Sequence, residues 1–546
     1  MHNCIIYQCD IYATPWTRKC FRHADLILIV GEAGTDRSPA VTEAEKAIEE
    51  LTKRIRKELV LLWPPDTACP SNTADWLKKR PWLSGHIHVK MNHWMAQIRK
   101  EQTYGQIVRH FNKYGLHEAV DIHSDYSRLA RHVQGKSIGL VLGGGGARGA
   151  AHVGMIRSLM EAGVPIDKLG GVSIGAFMGS LWSIHRDINK VTEKSKKWFY
   201  SMTRYVALFD LTYPITSLFT GRYFNWTLKE TFGREIQIED LWLPFYCVST
   251  DITVSRERVH RSGTVWRYCR ASMSYAWMCP PMCDPKDGHL LLDGCYVNNV
   301  PGNIMLQANC SHIVAVDVTA MDSDDLTNYG DALSGWFLLW KRINPFATPV
   351  KIPTQSQIQE RLAYCSHYKN LEEIKANENF EYIFPPVGHF SSSSFDIFDE
   401  IYDVGYNHGS ALFYGLRKGN TQDSQQHRRK LWLPTADIMR KQSKSAAHLS
   451  NQKQRQSLWD EVDVIDGRQS ERDQQLFAFT DLASLVMVGK TWQGMSASGT
   501  GVMRSRSNTV SSRSSVTGGG GATDDLSEDS RKTSARSQHS FTKINK

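Results

Sequence analysis

Three short stretches of this chain hold residue types at spacings that could do chemistry. Gly171-Val172-Ser173-Ile174-Gly175 is a G-x-S-x-G, the spacing that sets a serine on a sharp strand-to-helix turn with its hydroxyl above the sheet edge. Upstream lies a glycine run, Gly143 to Gly146, closed by Arg148 and Gly149. Gly144, Gly145 and Gly146 have no side chains, so their backbone N–H groups can turn toward a substrate and hold a developing oxyanion. Arg148 can brace that loop or add positive charge. Downstream, Asp293 ends the apolar run Leu290-Leu291-Leu292 and is followed by Gly294 and Cys295. A serine hydroxyl needs a base to take its proton. Asp293 at a strand end is the best candidate, with burial needed to raise its low intrinsic basicity.

The flanking residues predict the elements these groups need. Ile138 to Leu142 reads as a buried strand, and the pattern turns helical from Arg148, with Gly163 as its stop. A second strand, Leu169 to Val172, leads into Ser173. Ile174, Phe177, Met178, Leu181 and Trp182 then fall at i, i+3, i+4, i+7 and i+8, one buried helical face. Ser173 is thus expected over a helix N-terminus, where negative charge is favoured. Further strands are expected at 243–252, 256–260, 290–293 and 312–318, and helices at 355–376 and 397–416. The stretch from Trp198 to Trp226 is dense in aromatics and reads half as core, half as lid or pocket wall.

Two other chemistries compete for these residues. Gly144-x-Gly146-x-x-Gly149 satisfies the dinucleotide-binding fingerprint, but the acidic residue that fingerprint needs after the second strand is replaced by Ser173, and Asp167 lies before it. A Walker loop lacks its Lys-Ser/Thr. His152, His185, His260 and His289 could serve a triad. No histidine after Asp293 has a convincing strand-end setting, so a Ser173–Asp293 dyad is favoured, with His152 as a structural or pocket-lining residue.

The 546 residues suffice for several domains, and 41% hydrophobic with 22% charged residues is an ordinary globular composition. A net charge of +9 arises partly in the last hundred residues or so, so it is no evidence for a nucleic-acid groove and suits an anionic membrane face equally well. The 11 cysteines have no framework spacing and read as free thiols; Cys279 and Cys283 resemble half a zinc site without its partner pair. No apolar run approaches the roughly 18–20 residues of a membrane span. Residues 1–135 read as a small α/β segment with strands at 25–30, 58–63 and 86–90. Residues 136–419 read as the chemical domain, its motif core at 138–311, and 420–546 as a largely disordered Ser/Arg/Gly-rich tail.

Together, GGGGARG, GVSIG and DGC in this order resemble the patatin-like phospholipase family. ATPWTRKCFRHADLILIVG, FDLTYPITSLFTGRYFN, DGCYVNNVP and INPFATPVKIP, within 12–415, narrow the resemblance to its neuropathy target esterase branch. The resemblance implies an α/β, three-layer hydrolase with a mostly parallel central sheet and a nucleophile elbow. It implies Ser173 and Asp293 as the catalytic pair, the glycine loop as oxyanion hole, and no metal or organic cofactor. It also implies deacylation of lysophospholipids and phosphatidylcholine at the cytosolic face of the endoplasmic reticulum, by peripheral membrane contact and without nucleic-acid partners. A catalytically weak lipid-binding scaffold of the same fold is the alternative. Cys295 departs from the family's D-G-A/G, a small-for-small change expected to preserve activity. The N-terminal membrane helix and cyclic-nucleotide-binding domains of these relatives are expected to be missing.

Overall fold

A computed structural model of the chain describes residues 4–417, except 11, 35–39, 52–53, 99–101, 115–120, 204–209, 321–325, 345–346, 348–349 and 354. The tail expected from residue 420 lies outside the described residues. The first segment carries α1 (Pro15–His23), β1 (Leu26–Glu32), α2 (Glu43–Leu51), β2 (Arg56–Trp63), α3 (Thr73–Lys78), β3 (Gly85–Lys90), α4 (His93–Ala96), α5 (Tyr104–Tyr114) and α6 (Asp125–Val133). Its three strands pair in parallel in the order β1-β2-β3. Alternation along β2 splits the sheet's contacts: Leu59, Leu61 and Trp63 pack with Trp76, while Val60 packs with Ile87, Val89 and Leu129.

The second segment opens with β4 (Ser137–Leu142), a 3-10 turn over 146–149, α7 (Ala150–Glu161), β5 (Lys168–Val172), α8 (Ile174–His185) and α9 (Ile188–Met202). It continues with α10 (Arg222–Phe232), β6 (Phe245–Asp251), β7 (Arg256–His260), α11 (Val265–Ser272), β8 (Met282–Cys283), β9 (Leu290–Asp293) and α12 (Gly302–Gln307). It closes with β10 (Cys310–Val316), α13 (Gly335–Ile343), α14 (Gln355–Ala376), β11 (Phe380–Ile383) and α15 (Phe398–Arg417). The strand order is β11-β10-β4-β5-β6-β9-β8, with β7 also paired to β6. The run β11 to β6 is parallel, and β9, β8 and β7 join antiparallel.

Strand alternation makes this sheet the middle of three layers. Leu140, Leu142, Val314 and Val316 face a core built with α7, α8, α9 and α15, while Val141, Ile313 and Ala315 face one built with α12 and α14. The α7–α15 contact is close because it is glycine-lined: a Cβ on Gly154 would lie 2.3 Å from the Tyr402 carbonyl oxygen, and one on Gly405 2.4 Å from that of Ala151.

Several expectations shift in detail. The helix expected from Arg148 begins as a 3-10 turn, and α-helix proper starts at Ala150. Trp198 and Phe199 are core residues of α9, whereas Tyr213 is 83% exposed and Trp226 52%; Phe209 lies outside the described residues. Among the described residues, no helix is long and apolar enough to cross a membrane.

Candidate active site

Parallel β5 ends at Val172 and α8 starts at Ile174, which leaves Ser173 alone to make the turn. It does so with φ 52° and ψ −124°, a conformation a non-glycine residue adopts only under constraint. The constraint is visible. The Ser173 N–H donates to Ser272 Oγ at 2.9 Å, and Ser272 Oγ donates to the Val248 carbonyl at 2.6 Å. The flanking glycines are needed because the turn folds back on the sheet: a Cβ on Gly171 would sit 2.6 Å from Gly175 backbone, and one on Gly175 2.1 Å from the Leu142 carbonyl oxygen.

Antiparallel pairing of β9 with β6 brings Asp293 to this turn. Ser173 Oγ donates to Asp293 Oδ2 at 2.7 Å. The other carboxylate oxygen, Oδ1, accepts from the Cys295 N–H at 2.9 Å. The Asp293 main chain is fixed as well, its N–H donating to the Ser274 carbonyl and its carbonyl accepting from Thr250 Oγ1. The side chain is buried, and burial raises the carboxyl from 3.8 to about 6, against the opposing pull of the Cys295 and Ser173 hydrogen bonds. Gly294 must be glycine because a Cβ there would lie 2.3 Å from the Val248 carbonyl oxygen.

The glycine loop lies beside the pair; a Cβ on Gly144 would lie 3.2 Å from Ser173 Cβ. The Gly144 N–H donates to Asn299 Oδ1 at 3.1 Å, so this amide already has an acceptor. Among the described residues, no hydrogen bond uses the Gly145 or Gly146 N–H, which leaves these two as the candidate oxyanion donors. Gly146 has φ +60° and lies against Ser392, whose carbonyl accepts from the Ala147 N–H at 2.8 Å. Arg148 is buried and pairs with Glu360 of α14, so it braces the loop. Gly149 is a packing residue: a Cβ would meet Ile174 at 2.3 Å.

The histidines serve other partners. His152 is fully buried with Nε2 2.8 Å from the Gly143 carbonyl, and burial pushes it down to about 4. His260 bonds Ser249 and His289 bonds Asp251. Among the described residues no histidine hydrogen-bonds to Ser173 or Asp293. The arrangement therefore offers a hydroxyl bonded to a raised carboxylate, a glycine loop beside it, and a helix N-terminus below. That set can form and break an acyl–serine ester. Ser272, Asn299, Glu360 and Ser392 were not singled out from sequence. Asn299 stands within DGCYVNNVP, one motif from Asp293, but Ser272, Glu360 and Ser392 carry no local signal.

Residues 140–306 match the model of the patatin-like phospholipase family, and residues 1–135 that of the neuropathy target esterase family P-loop like domain. This chain belongs to the patatin-like phospholipase family, in its neuropathy target esterase branch. It is 51% identical over 415 residues to "Neuropathy target esterase sws" of Drosophila melanogaster, and 48% over 454 residues to that of Drosophila willistoni. These alignments cover 76% of this chain but 29% and 30% of the two relatives, so the chain spans under a third of their length. Among solved structures, VipD from Legionella pneumophila matches at 15% identity with a TM-score of 0.30, over 52% of this chain and 67% of that one. The family assignment agrees with the mixed α/β, parallel-rich sheet of this neuropathy target esterase-type chain.

Proposed function

We propose that this patatin-like chain deacylates lysophospholipids and phosphatidylcholine through a Ser173–Asp293 dyad. The observation that carries the reading is the 2.7 Å hydrogen bond from Ser173 Oγ to Asp293 Oδ2, made to a buried carboxylate whose basicity is raised. Asp293 takes the hydroxyl proton as Ser173 Oγ attacks the acyl carbonyl carbon. The carbonyl oxygen becomes an oxyanion facing the Gly145 and Gly146 amides and the N-terminus of α8. Collapse expels the glycerol oxygen, which leaves with the proton from Asp293. Water then attacks the acyl–Ser173 ester, Asp293 again accepts the proton, and the fatty acid departs as Ser173 recovers its hydrogen.

Such substrates reside in membranes, on the cytosolic face of the endoplasmic reticulum by the resemblance, so the chain must meet a lipid surface. Support comes from α13. It buries none of its residues; Trp336 is 82% exposed, Ile343 72% and Trp340 55%, and Lys341 and Arg342 sit in its last turn. Exposed tryptophan with adjacent cations fits the headgroup region of an anionic bilayer.

Labelling by a fluorophosphonate probe tests the chemistry. Wild type is expected to label and Ser173→Ala not at all; equal labelling of both removes the assignment. For the membrane contact, Trp340→Ala/Lys341→Glu/Arg342→Glu is expected to lose co-sedimentation with anionic vesicles at low salt. Undiminished sedimentation of the folded variant rules α13 out as the contact.

A further inference from the structure

Ahead of α10 the chain forms a short finger. Leu211 bridges Phe219 in antiparallel register, and the Thr212 N–H donates to the Leu218 carbonyl at 3.0 Å. Two contacts close its base. The Thr220 N–H donates to the Asp210 carbonyl at 2.8 Å, and the buried Asp210 carboxylate accepts from the Thr220 hydroxyl and, at 2.9 Å, from the Gly221 N–H. Its flank is tied to residues 277 and 278, whose carbonyls accept from the Leu218 and Phe219 N–H groups at 2.7 and 3.1 Å. Trp277 makes this pairing with φ 73°, a conformation a bulky residue adopts only when its surroundings force it.

All this backbone order holds apolar side chains in water. Leu211, Tyr213 and Ile215 alternate with Thr212, Pro214 and Thr216, and at the tip Tyr213 and Ile215 are 83% and 85% exposed. Trp277 and Met278 beside the finger are exposed too. Apolar side chains gathered on an ordered scaffold and left in water mark a contact surface. Charge narrows the partner. From 211 to 229 the charged residues are Arg222 and Lys229, and from 271 to 283 there is none. Arg222 is exposed at the first position of α10, next to the finger's base. A convex apolar tip with a cation beside it and no carboxylate on its surface suits a partner that yields to insertion and carries phosphate, which is a lipid surface. A folded protein would need a matching cleft.

The finger is also tethered to the serine site. Its partner segment runs back from Trp277 to Ser274, whose carbonyl accepts from the Asp293 N–H at 2.9 Å. Three residues of chain reach at most about 11 Å. Between these two points the Ala276 N–H donates to Tyr296 Oη at 3.1 Å, and Tyr275 stacks on Tyr296 with ring centres 5.8 Å apart. We propose that residues 211–218, with Trp277 and Met278, form a wedge that enters the acyl-chain region of a lipid surface beside Ser173, so that the ester is drawn from the bilayer without crossing water. Arg222 meets the lipid phosphates at the wedge's base. The wedge rests on the reading of Ser173 as a lipid-ester nucleophile and adds the surface through which the substrate arrives. It differs in kind from α13, where two adjacent cations contribute: its grip is almost wholly apolar.

The test compares two substrates of the whole chain: lysophosphatidylcholine held in phosphatidylcholine vesicles, and p-nitrophenyl butyrate dissolved in water. Tyr213→Ser/Ile215→Ser alters two side chains that face solvent, so its melting temperature is expected to match wild type. Its ratio of vesicle to soluble-ester hydrolysis is expected to fall by at least about tenfold. The fall should persist at high salt, where the cations of α13 are screened. Should the double variant fail to fold, Ile215→Asp alone is expected to lower the same ratio and Ile215→Leu to keep it. A folded variant with the wild-type ratio overturns the wedge and leaves Ser173 as the nucleophile. Wild type that cleaves the soluble ester but not the vesicle lipid overturns the lipid reading and the wedge with it. Wild type that dimerises while the variant is monomeric assigns the finger to a second copy of the chain and overturns the proposal as well.

Discussion

At Asp293 two demands conflict. As the proposed base, the carboxylate must be charged to accept the serine proton, yet it is buried where charge is disfavoured, and the compromise is a carboxyl raised to about 6. Hydrolysis by this chain should therefore lose rate as pH falls through about 6, with kcat/KM following the ionised fraction. A profile flat down to pH 4.5 would argue against Asp293 as the base. Asp293→Asn should cut the rate by roughly a thousandfold or more, since a positioned base contributes about 10²–10⁴. The same change should stabilise the fold. Because the folded carboxyl holds its proton more tightly than the unfolded one, the native state binds more protons between about 4 and 6, and stability falls as pH rises through that window. Asn removes this charge, so the gain in melting temperature over wild type should be larger at pH 8 than at pH 5.

The elements around the site explain which parts were legible beforehand. G-x-S-x-G and the aspartate at a strand end were readable because each is a local backbone requirement: the glycines at 171, 175 and 294 answer close approaches of 2.6, 2.1 and 2.3 Å made within or next to the motif. Gly175→Ala should therefore push α8 off β4, destabilise by about 3 kcal/mol and abolish probe labelling. Gly105→Ala, where a Cβ meets nothing within 4 Å, should melt like wild type. Ser272 and Glu360 were invisible because their roles arise only when α11 and α14 fold back across 99 and 212 residues of chain to Ser173 and Arg148. Both helices are stretches of ordinary composition, and nothing in one sequence separates a packing residue from a brace. Glu360→Gln should lower kcat between about ten- and a hundredfold with little change in KM, because a loose loop misplaces donors used in the transition state. A pure KM effect would assign Glu360 to substrate binding instead.

At the scale of the molecule, the first segment is built into the second. Thr73 N–H donates to Asp240 Oδ1 at 3.0 Å, His88 Nε2 lies 2.8 Å from the Glu239 carbonyl, and Trp242 completes the cluster of Trp63 and Trp76. Residues 136–417 expressed alone would expose Trp242 and leave these groups without partners. Such a fragment should be poorly soluble, or melt well below the whole chain; equal melting temperatures would show that the first segment is dispensable for stability.

The brace on the glycine loop also fixes when the site can exist during synthesis. Its parts arrive in the order Gly145, Ser173, Asp293, Asn299, Glu360, Ser392, and the last two come well after the stretch 140–306 that carries every motif. A growing chain that has already exposed its serine and aspartate still lacks the carbonyl of Ser392 that holds the Ala147 amide, the partner of Arg148, and the helix α15 that packs on α7. Under the proposed function, competence of Ser173 is thus deferred until α14, Ser392 and α15 have been made, well after the motifs themselves. Chains stopped at residue 345 should stay unlabelled by fluorophosphonate and those stopped at 417 should label, a difference readable on stalled ribosomes.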